Sequence, residues 1–165
     1  MEIRYLEPTD DRQAISKIYE ESWKYAYKGI VPQKYLDSIP AGNWAQGIHS
    51  EGRYTMVMTD GEKIVGISSF CRSRMQEMSD YGEVVSIYFL PEYIGKGYGK
   101  LLLNAVIGEL KNLSFQKVFL WVLEDNHRAR HFYEKFGFRQ SNHNMEICIG
   151  GKNLNEVQYC FKIRR

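Results

Sequence analysis

Three glycines at alternate positions, Gly95, Gly97 and Gly99, interleave with Lys96, Tyr98 and Lys100 in the run from Leu90 to Leu103, LPEYIGKGYGKLLL. A backbone lacking Cβ atoms at every second residue can turn successive N–H groups toward one point. A helix starting there adds free N–H groups and a partial positive charge, worth about 0.3–1 kcal/mol per anion and up to about 2 when partly buried. Lys96 and Lys100 add full charges, so the segment is suited to a phosphate or pyrophosphate. A Walker loop is excluded twice over: Gly99-Lys100 is followed by Leu101, and the position five before Gly99 is Ile94. A dinucleotide fingerprint needs Gly-x-Gly-x-x-Gly on an early strand, whereas this loop is Gly-x-Gly-x-Gly and follows four strands.

Other residues could move protons. Asn126 and Tyr133 are two helical turns apart and share a helix face. Tyr133 can give a proton to a leaving group, or pack on the apolar stripe with Ala129, Phe132 and Phe136. Glu83 heads an apolar run and is either a base or a solvated strand-end carboxylate. His127 and His131 have the i, i+4 spacing of metal ligands, but neither a His-Glu-x-x-His motif nor a third ligand accompanies them, and no metal is expected. Cys71, Cys148 and Cys160 are far apart, without a Cys-x-x-Cys pair, and read as small buried hydrophobes on strands. Trp23, Tyr27, Tyr35 and Trp44 are core aromatics or the lining of a pocket; Glu20, Glu21 and Asp37 either steer a cationic group or form a solvated face.

The elements that must position these groups follow from periodicity. Ile3 to Leu6 reads as a strand, and Pro8-Thr9-Asp10-Asp11 opens a helix carrying Ala14, Ile15, Ile18, Tyr19, Ser22 and Trp23. Short helices are expected over Pro32–Ser38 and Trp44–Ile48. Tyr54–Thr59 and Lys63–Cys71 flank the turn Asp60-Gly61-Glu62 as a hairpin. The polar stretch Arg72–Tyr81 reads as a mobile connector, and Glu83–Leu90, apolar on both faces, as a central strand. A helix over Gly97–Lys111, a strand over Lys117–Leu123 and a helix opened by Asp125-Asn126 and closed by Gly137 come next. Strands Phe138–Ile149 and Val157–Ile163, joined around Gly150-Gly151-Lys152-Asn153, complete the order βααβββαβαββ. No linker or repeat divides it, so residues 1–165 read as a single α/β (α+β) domain.

Phe89 through Leu103 resembles the pyrophosphate loop of the GCN5-related N-acetyltransferases, Val-x-Pro-x-x-Arg/Gln-Gly-x-Gly-x-Gly/Ala-x-x-Leu-Leu. Asn126-His127-Arg128-Ala129-Arg130-His131-Phe132-Tyr133 through Gly137-Phe138 is similar to that family's Asn-x-x-Ala-x-x-Phe-Tyr-x-x-x-Gly-Phe signature. Trp23 to Pro32 is similar, more faintly, to an acceptor-side segment of many bacterial members. The resemblance implies a mixed sheet of about seven strands with flanking helices, in which parallel strands 4 and 5 splay to admit pantetheine. It implies acetyl-CoA as cosubstrate, held by Ile87, Tyr88, Phe89, Ile94, Gly95, Lys96, Gly97, Tyr98, Gly99, Lys100, Asn126, Ala129 and Phe132. By the same resemblance Tyr133 is the general acid for sulfur, Glu83 the base, and a backbone N–H around Tyr88 or Phe89 polarises the thioester carbonyl. Ile94 stands where the family has Arg or Gln, which removes one side-chain contact and motivates a second reading, a coenzyme A-sensing module without turnover. The expected acceptor is a primary amine on a small molecule or peptide, acylated directly because no cysteine has a base near it in sequence. Related proteins often form homodimers.

Composition narrows the partners. With 22 Lys and Arg against 20 Asp and Glu, the net charge of +2 lacks the basic surplus of a nucleic-acid binder. No apolar run nears the roughly 20 residues that span a bilayer. The N-terminus, Met1-Glu2-Ile3-Arg4, has no basic-then-apolar secretion signal. The expectation is a cytoplasmic protein engaging neither nucleic acid nor membrane.

Overall fold

In the computed structural model, which describes residues 1–165, strand β1 (Glu2–Tyr5) lies antiparallel to β2 (Arg53–Asp60), and β3 (Lys63–Arg72) returns through the Gly61-Glu62 turn. Strand β4 (Gly82–Phe89) runs antiparallel to β3 and parallel to β5 (Lys117–Leu123). Strand β7 (Lys152–Lys162) lies antiparallel to β5, and β6 (Arg139–Ile149) forms the far edge, giving one seven-stranded sheet in the order β1-β2-β3-β4-β5-β7-β6.

The helices are α1 (Arg12–Ala26), α2 (Gln33–Ser38), α3 (Tyr98–Asn112) and α4 (His127–Phe136). Each begins where a local signal dictates. The Asp11 carboxylate accepts the Gln13 and Ala14 N–H groups, and Asn126 Oδ1 accepts that of Ala129 at 3.2 Å. Helix α3 starts instead at Gly97, which offers no side-chain cap, so its first N–H groups stay unclaimed. Ile15 and Ile18 of α1 and Leu102, Leu103, Val106 and Leu110 of α3 are fully buried against the sheet. A smaller cluster, Val31, Leu36, Ile39, Leu123 and Leu154, ties α2 and the loop before it to β5 and β7.

Two features open the sheet in the middle. Opposite Ser69 and Phe70 of β3, strand β4 places Ser86 and Val84, so Val85 is an extra residue and the strand bends there. Parallel pairing with β5 covers only Gly82↔Val118 and Glu83↔Phe119, just before that bulge. Beyond it the strands diverge.

Several expectations need correction. Trp44–Ile48 forms turns, not a helix; Pro40, Gly42 and Gly47 break the segment while Ala45 and Ile48 still bury their side chains. Arg72–Tyr81 is folded back rather than loose: it contains a single turn of 3₁₀ helix over Gln76–Met78, with Met78 buried. Strand β7 begins at Lys152, five residues earlier than Val157, because Gly150-Gly151 alone makes the turn. Cys71 is buried, but Cys148 lies on the solvent side of edge strand β6 and Cys160 is half-buried.

Candidate active site

The gap between β4 and β5 continues into a cleft of about 1270 Å³, walled by both strands, the α3 and α4 starts, the end of α1, and β6 and β7. At one end lies the glycine loop. Gly95 and Gly97 have φ of +79° and +85°, which side-chain-bearing residues rarely adopt, and nothing stands within 4 Å of where a Gly97 Cβ would be. Ile94, Gly95, Gly97, Gly99 and Lys100 line the cleft. Lys96 and Tyr98 do not. The Lys96 ammonium lies over the Tyr93 ring at 5.7 Å, and Tyr98 packs against the same ring. Arg128, which sequence reading missed, brings a cation to this mouth: its Nη2 is 3.8 Å from an ideal Cβ on Gly95, and its Nη1 donates to the Tyr25 hydroxyl at 3.0 Å.

Along the gap, β4 presents main-chain groups. The Leu90 N–H donates to the Val65 carbonyl at 2.9 Å, and Tyr88 is two residues before it, opposite Ile67. Antiparallel alternation therefore turns the Tyr88 N–H toward β3 and those of Ile87 and Phe89 toward the gap. Of the two expected carbonyl-polarising donors, Phe89 is well placed and Tyr88 is not; Ile87 joins it. Two buried polar atoms have no partner, Trp23 Nε1 and Ser86 Oγ, and both residues line the cleft.

Asn126, Ala129, Phe132 and Tyr133 face the cleft together, as their spacing predicts. Asn126 spends Oδ1 on the α4 cap, leaving its amide NH₂ free. The Tyr133 ring packs edge-on to Phe132 and Phe138 in the core, while its hydroxyl has no protein partner. Burial raises its phenol well above the ordinary value, so it carries its proton at neutral pH.

At the opposite end the cleft meets Arg74, Met75, Glu83, Trp121, Met145, Ile147 and Glu156. Glu83 is 2% exposed, so it is no solvated strand end. Arg74, bent back from the connector, grips it: Nη2 to Oε1 at 2.6 Å, Nε to both oxygens at 3.2 Å, and the Arg74 N–H to Oε2 at 3.0 Å. Glu156, reaching in from β7, has no hydrogen-bond partner; desolvation raises its carboxyl and Arg74 partly offsets this. Trp23 and Tyr27 line this end, and burial pushes the Tyr27 phenol up to about 12.

Most of the other singled-out residues lie elsewhere. Trp44 stacks on Tyr19 with ring centroids 5.6 Å apart, and Tyr35 covers Gly150. Glu20 accepts from Ser16 at 2.6 Å, Glu21 pairs with Lys17, and Asp37 accepts from Gln33. His131 lines the cleft while His127 does not.

Comparison with known proteins accords with this geometry. The sequence model of the acetyltransferase (GNAT) family matches residues 13–138. An uncharacterized N-acetyltransferase of Bacillus subtilis is 30% identical over 151 residues, covering 90% of this chain and 86% of its own. Spermidine N(1)-acetyltransferase of Thermoplasma acidophilum is 26% identical over 148 residues, covering 84% and 88%. A crystal structure of an N-acetyltransferase from Thermoplasma acidophilum in complex with coenzyme A shares the fold, with a TM-score of 0.74, 20% identity and coverage of 99% and 100%. A splayed parallel pair, a glycine loop at its mouth and a proton-bearing tyrosine beneath it thus coincide with the family match, and the chain belongs to the GNAT acetyltransferase family, whose members transfer acetyl groups to amines.

Proposed function

We propose that this acetyltransferase uses acetyl-CoA and passes the acetyl group directly to a primary amine on a small molecule or peptide. The observation that carries the reading is the glycine loop with uncapped N–H groups opening onto a gap whose β4 edge is unpaired. The residues fit the cosubstrate: Gly95, Gly97, Gly99 and the first turn of α3 would hold the diphosphate, with Lys100 and Arg128 beside it. The Ile94 substitution leaves those backbone donors intact. The Ile87 and Phe89 N–H groups and the Asn126 amide offer hydrogen bonds along the gap.

The thioester supplies an activated acyl carbon when bound. The Ile87 and Phe89 N–H groups are the candidates to stabilise negative charge on the carbonyl oxygen. Tyr133, whose raised phenol keeps its proton, would give that proton to the departing sulfur. Glu83 was the expected base, yet both its oxygens are engaged by Arg74, which suits it better to holding the connector against the cleft. Three free cysteines accord with a reducing, cytoplasmic setting.

The relatives' acceptors, spermidine in one and a ribosomal-protein alanine in another from Haemophilus influenzae, share a primary amine and little else. The test is coenzyme A release from acetyl-CoA in the presence of polyamines, amino-acid amides, alanyl peptides and arylalkylamines. Amine-dependent thiol release with acetylated product is expected; binding of acetyl-CoA without release for any amine would leave only a sensor.

A further inference from the structure

We infer that Glu156 on β7, rather than Glu83, takes the proton from the acceptor's ammonium group, and that the acceptor is a primary amine on an apolar or aromatic body. This rests on the acetyl-transfer reading above and names the residue and substrate class that complete it.

The contrast between the two carboxylates carries the argument. Both line the acceptor end of the cleft. Glu83 accepts four hydrogen bonds from Arg74, so protonating it would break an ion pair. Glu156 accepts none, and the residue lines the cleft. Its neighbours across the sheet are Leu123 on β5 and Met145 on β6, neither ionisable. The charged and titratable groups around it are Arg74 from the connector, Glu83 beyond Arg74 on β4, and Tyr27 at the end of α1. On β7 itself, Gln158 lies two residues along and holds His143 of β6. With Arg74 hydrogen-bonded to Glu83, Glu156 is left as the one carboxylate of the acceptor end without a hydrogen-bonded cation, among lining residues that include Trp23, Trp121, Met145 and Ile147. Apolar walls around one free carboxylate match a single ammonium on an apolar chain. Desolvation holds the Glu156 carboxyl above its ordinary range, making it a better proton acceptor than a solvated glutamate.

The step balances. The ammonium loses one proton to Glu156, and the freed nitrogen lone pair forms the C–N bond to the acyl carbon. The C–S bond breaks, with its electron pair leaving on sulfur and taking the Tyr133 proton. A second nitrogen proton restores Tyr133, and the Glu156 proton passes to solvent.

The test compares Glu156→Gln with wild type on an arylalkylamine, cationic at neutral pH, and on an arylamine that is already neutral. Wild type should acetylate both. Glu156→Gln should lose about 10²-fold or more in kcat/KM on the alkylamine. It should stay within a few-fold of wild type on the arylamine and bind coenzyme A unchanged. Glu156→Asp, which keeps the carboxylate, should recover part of the loss and serves if the glutamine variant fails to fold. Equal losses on both amines, or no loss on either, would overturn the inference and leave the acetyltransferase reading standing. So would an acidic limb of the pH profile that disappears in Glu83→Gln and persists in Glu156→Gln. A wild-type enzyme that acetylates no amine would overturn the reading itself.

Discussion

Tyr133 is anchored by its ring and free at its hydroxyl, so Tyr133→Phe removes one oxygen with little disturbance of packing. A drop of about 10²-fold in kcat is expected with coenzyme A affinity nearly unchanged, read by steady-state kinetics beside calorimetry. Unaltered kcat would take the tyrosine out of the chemistry. Glu156 allows a prediction on stability. Its folded-state carboxyl lies above the unfolded value of about 4.3, so its favourable contribution is complete below that pH and is lost as pH rises through the folded value. Glu156→Gln should therefore match wild type in thermal melts near pH 3 and exceed it at pH 7; a pH-independent difference would contradict the burial argument. The two residues differ in how visible they are in the sequence. Tyr133 stands inside a dense motif, whereas Glu156 follows Lys152-Asn153-Leu154-Asn155, a polar stretch that reads as turn. Only once the Gly150-Gly151 turn is known to be two residues long do Leu154, Glu156 and Gln158 fall on one strand face.

Among the elements, the α3 start and the β3–β4 pair set the shape of the cleft. Gly97 caps α3 at φ +85°, so Gly97→Glu would strain the backbone and place a carboxylate among the N–H groups that await an anion. Coenzyme A binding should vanish by calorimetry while the melting curve stays cooperative; unchanged affinity would refute the loop's role. Behind β4, Gly66 is a quieter determinant. A methyl group there would overlap the ring of Phe89, which is buried and lines the cleft. Gly66→Ala should cost about 1–3 kcal/mol in denaturant unfolding and weaken coenzyme A binding as well. A loss of stability without a loss of affinity would uncouple the two strands. Helices α3 and α4 and strands β4 and β5 were legible because periodicity, caps and glycines agree within each. The Arg74–Glu83 pair was not, since it joins a polar connector to a strand end, and nothing in local spacing announces a contact made by the chain folding back.

At the scale of the whole molecule, the sheet is nearly two sheets. Strands β1 to β4 form one ladder and β5, β7 and β6 another, joined through Gly82↔Val118 and Glu83↔Phe119 alone. Amides on the β4 side of that division, Ile87 and Phe89, should exchange with deuterium quickly in the free protein and slow markedly with coenzyme A, while Leu90, bonded to Val65, changes little. Uniform protection along β4 would mean the division is closed in solution. The arrangement resembles a half-drawn zip fastened at one end, and a linear molecule rich in amides could serve as the missing row of teeth. Occupancy would then be felt as stiffening across the full width of the protein, so that the act of loading knits its two halves into one body.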